Sequence, residues 1–209
     1  MATMLYQGHG SYRLTADDGT CVYVDPFAGG GYDVPADVIC VTHEHFDHTG
    51  VDLMEHAAGC TVLRSGDVHP ATGEYVTVET HGLRVTGVEA TNENHPIDEC
   101  AGMVIEIDGV SFLASGDTSM TDDMRSGKLA ALGLDWAVLP ADGVYNMGVE
   151  EASECAKLID ARHTVPVHMV PMHSPEGATD ESLLFSEEKA AAFQAPGKVV
   201  LRPGEEVGL

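Results

Sequence analysis

The chain has 209 residues and carries 34 acidic against 10 basic side chains, a formal charge of −24. So acidic a protein repels phosphate backbones and lacks the Lys and Arg that grip them, which excludes a general nucleic-acid-binding role. With 44% hydrophobic residues it is not a disordered acidic tail either, since such tails are too poor in apolar side chains to offset chain entropy. The length suits one domain spanning residues 1–209 with a substantial core.

Short runs rich in Val, Ile, Tyr or Leu and bounded by Gly, Asp or Pro predict strands near 4–7, 10–15, 20–25, 37–42 and 61–64, with a helix near 50–57 before the last of these. Strands follow near 74–79, 83–89, 102–107 and 110–115, then a helix near 121–131 and a strand near 135–139. A helix is predicted over 149–160, where Val149, Ala152, Ala156 and Ile159 recur at helical spacing. Glu150, Glu151 and Glu154 fall in its first turns, where the helix dipole favours acids. A strand near 164–167, a helix near 180–194 and a strand near 198–202 complete the chain. Many strands with few helices, and no repeat or low-complexity linker, predict an α/β sandwich.

Five cysteines (Cys21, Cys40, Cys60, Cys100, Cys155) occur without a C-x-x-C pair. That odd, scattered set predicts free thiols in a reducing, cytoplasmic compartment. No stretch approaches the roughly 18 apolar residues of a membrane span, and no basic segment followed by an apolar one opens the chain. Neither membrane nor secretion is therefore expected.

The polar residues that follow the strands carry the chemistry. Tyr23-Val24-Asp25, Val41-Thr42-His43, Ser115-Gly116-Asp117 and Pro166-Val167-His168 each run from an apolar strand into an Asp or His. Ligand sites of α/β sheets gather at such strand ends, because a rigid strand aims a side chain that the loop leaves accessible. The densest cluster is Thr42-His43-Glu44-His45-Phe46-Asp47-His48-Thr49-Gly50. Histidines two apart in an extended segment point to one side, so His43 and His45 can grip one ion. Asp47 and His48 face elsewhere and can approach a second ion, about 3.5–4 Å away in typical two-metal sites.

This H-x-H-x-D-H pattern resembles the signature of the metallo-β-lactamase superfamily. Gly8-His9-Gly10-Ser11-Tyr12, Val24-Asp25-Pro26-Phe27, His95, Gly116-Asp117-Thr118, Leu139-Pro140-Ala141-Asp142-Gly143, Val165-Pro166-Val167-His168 and the terminal Arg202-Pro203-Gly204-Glu205-Glu206 extend the resemblance over nearly the whole chain. They are similar in kind and order to the small metal-dependent hydrolases related to bacterial L-ascorbate 6-phosphate lactonase. The resemblance implies a four-layer αββα sandwich with two divalent metal ions between its sheets. It makes His43, His45 and His95 ligands of the first metal, Asp47, His48 and His168 those of the second, and Asp117 the bridge. Neutral imidazoles with carboxylates suit zinc, and manganese or iron accept the same set.

Several residues stay open on sequence alone. His173, five positions after His168, competes for its role, but His168 follows an apolar strand directly. Asp25 is placed to hydrogen-bond ligand histidines or nearby amides. His9 sits in a Gly-rich turn that either approaches the pocket or merely packs. His56, His69, His81 and His163 lack partner spacing and read as satisfied or exposed, and Trp136 reads as core.

The implied reaction is hydrolysis of a small ester, lactone or phosphoester by a hydroxide held between two cations and oriented by Asp47. A covalent nucleophile has no motif here, for there is no Gly-x-Ser-x-Gly elbow. An anionic, phosphorylated substrate would favour a cation near the rim, for which Arg13 and Arg125 are the candidates. Two other readings share the resemblance. One is an iron-dependent oxidoreductase of the sulfur dioxygenase kind, although diiron oxygen reductases of this fold place Glu where His45 stands. The other is a non-catalytic metal-binding module, which the complete ligand set opposes. The expected partner is a small molecule, with oligomeric state left undetermined.

Overall fold

The computed structural model describes residues 1–71 and 73–209. In chain order its elements are β1 (Thr3–Gly8), β2 (Ser11–Thr15), β3 (Cys21–Val24), β4 (Ala36–Val41), β5 (His56–Arg64), α1 (Ser65–Val68), β6 (Thr77–Thr80), β7 (Leu83–Val88), β8 (Gly102–Ile107) and β9 (Val110–Ala114). Then come α2 (Asp122–Arg125), β10 (Trp136–Pro140), α3 (Val149–Ile159), β11 (His163–Val167), α4 (Glu181–Leu184), α5 (Glu187–Ala192) and β12 (Glu206–Gly208). They form two mixed six-stranded sheets, ordered β12-β1-β2-β3-β4-β5 and β11-β10-β9-β8-β7-β6.

Alternation along the strands decides how the sheets pack. Met4, Tyr6, Tyr12, Leu14, Val22, Val24, Val38 and Cys40 of the first sheet bury against Val85, Met103, Ile105, Phe112, Trp136, Val138 and Val165 of the second. The alternate residues face outward. Val104, Leu113, Ala137 and Leu139 lie beneath Met124 of α2, Ala152, Cys155, Ala156 and Ile159 of α3, and Ala190 of α5. On the far side Cys21, Tyr23, Ile39 and Val41 are covered by Tyr32, Val34, Val51 and Met54. This is the α/β metallo-β-lactamase sandwich that the sequence predicts.

Four local expectations change. No helix forms over 50–57: Val51 and Met54 reach the first sheet from a turn, and His56 already pairs with Ala36 as β5 begins. A spacing of three between two apolar residues fits one turn as well as a helix. The 121–131 segment is α2, a turn through Gly127 at φ 77°, and a 3-10 turn at Ala130–Leu132. The 180–194 segment is broken by extended Phe185 (φ −154°), and each half has its own cap, Asp180 for α4 and Ser186 for α5. Finally, the terminal strand is β12 on β1, while 198–202 makes only a bridge from Lys198 to Thr164.

Strands β3, β4 and β5 run parallel in one sheet, and β9, β10 and β11 in the other. Their carboxyl ends open at one edge of the sandwich. There the tip of the β1–β2 hairpin crosses to the second sheet, where His168 N–H donates to the His9 carbonyl (2.8 Å). At Gly116, just after β9, φ is 63° and a Cβ would stand 2.7 Å from Thr42 Cβ. Gly116→Ala is therefore expected to lower stability by about 1–3 kcal/mol, from overpacking and a left-handed alanine together, and to reduce metal content by displacing Asp117. Denaturant melts and elemental analysis check both.

Candidate metal centre

The β4 strand delivers Thr42 and His43 to the open edge, and the loop that follows folds back so that the His48 amide donates to the His45 carbonyl (3.1 Å). Asp117 arrives from β9 and His168 from β11, while His95 comes from the loop between β7 and β8. Asp25 and His168 both take left-handed backbone, φ 45° and 43°, as does His9 at 53°. Non-glycine residues hold that conformation at a cost of about 1–3 kcal/mol, and such outliers gather at functional sites.

Four buried imidazoles share one arrangement: Nδ1 faces an acceptor behind it and Nε2 faces inward. His43 Nδ1 lies 3.0 Å from Thr42 Oγ1, whose hydroxyl donates to Asp25 Oδ2 (2.8 Å). His95 Nδ1 lies 2.8 Å from Asn92 Oδ1, His48 Nδ1 3.1 Å from Asp25 Oδ2, and His168 Nδ1 3.2 Å from Asp142 Oδ2. An imidazole that donates from Nδ1 presents an Nε2 lone pair, and carboxylate or amide oxygens behind ligating histidines are the usual support of a metal site.

Toward the centre, Asp117 is the common neighbour. Its Oδ1 lies 3.5 Å from His48 Nε2, and its Oδ2 lies 3.4 Å from both His95 Nε2 and His168 Nε2. His95 Nε2 is 3.1 Å from His45 Nδ1. Asp47 Oδ2 lies 3.1 Å from His9 Nε2 and 3.6 Å from His168 Nε2. Three groups thus have ligand atoms within 4.8 Å of one another: His43, His45 and His95; His43, His48 and Asp117; and His9, Asp47, His48 and His168.

Nε2 of His43, His48 and His168 is buried with no hydrogen-bond partner, a rare condition for a polar atom inside a protein, and Nδ1 of His48 and of His168 meets its carboxylate at ion-pair distance without hydrogen-bond geometry. Asp25, Asp47, Asp117 and Asp142 are buried beside them. Inward lone pairs among buried carboxylates suit a divalent cation, and the residues fit the group that the sequence implies. Without a cation, protons do part of its work. Burial lowers the His48 and His168 rings, but Asp117 outweighs it, with Asp25 for His48 and Asp142 for His168, raising His48 well above the ordinary range and His168 to about 10. His43, His95 and His9 go the other way. Burial, reinforced by neighbouring rings, holds His43 well below the usual value and brings His95 and His9 each to about 4.

All seven residues expected from the sequence, His43, His45, Asp47, His48, His95, Asp117 and His168, come together. His9 joins them: its fully buried ring lies against that of His168, with centroids 3.7 Å apart and planes tilted by 43°. Asp142, Asn92, Asn146 and Thr42 were not foreseen. Asn146 Nδ2 donates to Asp142 Oδ2 (2.8 Å) and Asn92 Nδ2 to Asn146 Oδ1 (3.0 Å), so one chain of amides links the supports of His95 and His168. Asp142 had a legible signal, since it closes β10 as Asp25 closes β3. His173 is exposed, shares a hydrogen bond with the Tyr145 hydroxyl (2.8 Å) and belongs to none of the three ligand groups. Of the remaining histidines, His56 and His81 reach backbone carbonyls, His69 stacks on Tyr75, and His163 lies against Trp136.

A cleft of about 370 Å³ opens over the centre, lined by His45, Phe46, Asp47, Asn94, His95, Asp117, Tyr145, Met172 and His173. Neither proposed anion-binding arginine belongs to it. Arg13 bonds the Gly31 carbonyl and Asp33, and Arg125 pairs with Asp122 on α2.

Residues 3–168 match the family described as β-lactamase superfamily domain, and the chain belongs to that family. It is 28% identical to a UPF0173 metal-dependent hydrolase of Pyrococcus furiosus, with 100% of both chains covered. A UPF0173 metal-dependent hydrolase of Methanoregula boonei is 33% identical over 79% of this chain and 81% of its own. Among solved structures, the metallo hydrolase Igni18 of Ignicoccus hospitalis has the same fold, with a TM-score of 0.69 at 20% identity, covering 99% of this chain and 97% of that one. Among the described residues, no helix is long and apolar enough to cross a membrane.

Proposed function

We propose that this protein is a metal-dependent hydrolase that holds two divalent cations, zinc being the best match to the donor set, and cleaves a small-molecule ester, lactone or phosphoester in the cytoplasm. The observation that carries the reading is the shared arrangement of His48, His95 and His168, each with an acceptor behind Nδ1 and with Nε2 within 3.5 Å of Asp117, and of His43 beside them, its Nε2 buried and unpartnered. His43, His45 and His95 would hold the first cation, Asp47, His48 and His168 the second, and Asp117 would serve both. Membership in the family supports this assignment, and five free thiols suit the reducing compartment.

Bound there, divalent cations supply Lewis acidity to the scissile group and acidify water enough for attack near neutral pH. The rest is the work of the side chains. Asp47, fixed at one oxygen by His9 (3.1 Å), orients the attacking water. Asp25 and Asp142 keep His48 and His168 in the ligating orientation, and the Asn92–Asn146–Asp142 chain resists their displacement.

Elemental analysis of the purified protein is expected to give two metals per chain, with hydrolysis of at least one among lactones, phosphodiesters and phosphorylated sugar acids. Asp47→Ala and His168→Ala should each lose one metal and about 10²-fold or more in kcat/KM. A full complement of iron with oxygen consumption, and no hydrolysis, would replace this reading with the oxidoreductase.

A further inference from the structure

The cleft over the metal centre has walls that select among substrates. None of the 10 Lys and Arg residues lines it. Nine of them are held elsewhere by named acceptors. Arg13, Arg84, Arg125, Lys128, Arg162 and Arg202 pair with surface acids. Lys189 donates to the Asp142 carbonyl from behind the centre, and Lys198 to the Phe193 carbonyl. Arg64, at the end of β5, is held by both oxygens of Glu44 at 2.7 and 2.6 Å, and Lys157 lies on α3 over the second sheet. Away from the metal ions, which can hold a phosphoryl group at the reacting centre itself, recognition of a phosphate elsewhere on the substrate calls for a bidentate guanidinium, an ammonium or a nest of amides. No cationic side chain serves the cleft.

Apart from His45, Asp47, His95 and Asp117 of the metal centre on its floor, the side chains that line it are Phe46, Asn94, Tyr145, Met172 and His173. Phe46 stands between the two halves of the metal motif, its ring 43% exposed, and packs edge-on against Phe27 at 5.6 Å. That contact fixes an apolar surface at the mouth of the site. Met172 lies in the lining as well, while the Tyr145–His173 pair and the Asn94 amide supply polar atoms, Asn94 Nδ2 being tied to the Tyr145 carbonyl (3.0 Å). Six large apolar side chains are exposed among the described residues. Half of them belong to the loops that carry this site: Phe46, Ile97 two residues after His95, and Val144 next to Tyr145. Apolar surface concentrated beside a catalytic cleft marks a binding surface rather than chance exposure.

We infer that the substrate is an uncharged carboxylic ester or lactone bearing an aromatic or aliphatic group, and not a phosphorylated one. The inference rests on the hydrolase reading above and narrows it. Phe46 and Met172 take the apolar group, and the Tyr145–His173 pair and Asn94 face the ester oxygens. Water is the co-reactant: its oxygen joins the acyl carbon as the acid, the acyl C–O bond breaks, and a proton goes to the departing oxygen as the alcohol. No electron changes hands.

The test uses the metal-loaded protein and two matched γ-lactones, one aryl-substituted and uncharged, the other identical but carrying a side-chain phosphate. Their lactam counterparts, which are not turned over, measure binding by calorimetry. The uncharged lactone should show kcat/KM at least about tenfold higher, and its lactam should bind more tightly by a similar factor. Phe46→Ala should lower kcat/KM for the aryl lactone about tenfold, chiefly through KM, with metal content unchanged. Phe46→Arg should move the preference toward the phosphorylated lactone. Preference of the wild type for the phosphorylated lactone, in turnover or in lactam binding, overturns the inference and leaves the hydrolase intact. Tight, selective binding of the uncharged lactam with no turnover of any ester supports this cleft assignment and overturns the hydrolase reading instead.

Discussion

Asp117→Ala is expected to remove hydrolysis almost entirely and to leave the protein with less than one metal per chain. The carboxylate touches both halves of the centre, with Oδ1 3.5 Å from His48 Nε2 and Oδ2 3.4 Å from His95 and His168 Nε2. A side chain shared by both sets cannot be lost from one alone. If cation-assisted catalysis supplies about 4 kcal/mol, its loss lowers kcat/KM about a thousandfold. Asp117→Asn keeps the volume and removes the charge, so it should fail nearly as badly. Asp142→Asn makes the contrast. Of the metal-centre rings Asp142 reaches only the rear of His168 (3.2 Å), and its loss should weaken metal affinity about 10–100-fold while leaving kcat of the saturated protein close to wild type. Metal titration followed by kinetics at saturating metal separates the two. An Asp117→Ala protein with full metal content and unimpaired turnover would show that the carboxylate bridges nothing.

How much of this was legible in the sequence follows from how each feature is encoded. The strands were legible because period-two burial leaves a direct trace: Val22, Val24, Val38 and Cys40 face the core while Tyr23, Ile39 and Val41 face outward. The ligands were legible because a strand end followed by His or Asp is a local pattern. Helix limits were not, for the breaks at Phe185 and Gly127 and the turn at Val51–Met54 depend on tertiary pairing, such as the Gly50 amide donating to the Pro26 carbonyl (2.7 Å). Nor was the role of His9, 38 positions from Asp47 in sequence. It depends on the hairpin tip crossing between the sheets, and a one-dimensional pattern has no term for that. The cleft was hidden for the same reason: Phe46 and Asn94 read as loop residues until the fold sets them opposite Tyr145, Met172 and His173.

Stripping the metals should change both the stability of the protein and how that stability depends on pH. Cations that bind only the folded state at 100 times their dissociation constant add about 2.7 kcal/mol. For a chain of this size each kcal/mol is about 2–4 °C in Tm, so chelation should lower Tm by about 5–10 °C. The metal-free centre then relies on protonated His48 and His168. Their folded values are raised, His168 to about 10, against about 6.5 unfolded. That contribution is complete below pH ~6.5 and is lost as pH rises toward about 10. His9, His43 and His95 are depressed, His9 and His95 to about 4. The unfolded chain therefore binds more protons at these positions between about pH 4 and 6.5, and stability rises with pH in that window. The two slopes meet near pH 6.5, where the chelated protein should be most stable, with Tm declining on either side. In the loaded protein, on the proposed assignment, these imidazoles would be ligands rather than proton carriers, so its Tm should change little between pH 7 and 9. Metal loading at pH 7 should also release about two protons, from His48 and His168, which appears as a buffer-dependent enthalpy in calorimetry. Identical Tm profiles with and without chelator, and no proton release, would mean that these histidines hold no metal.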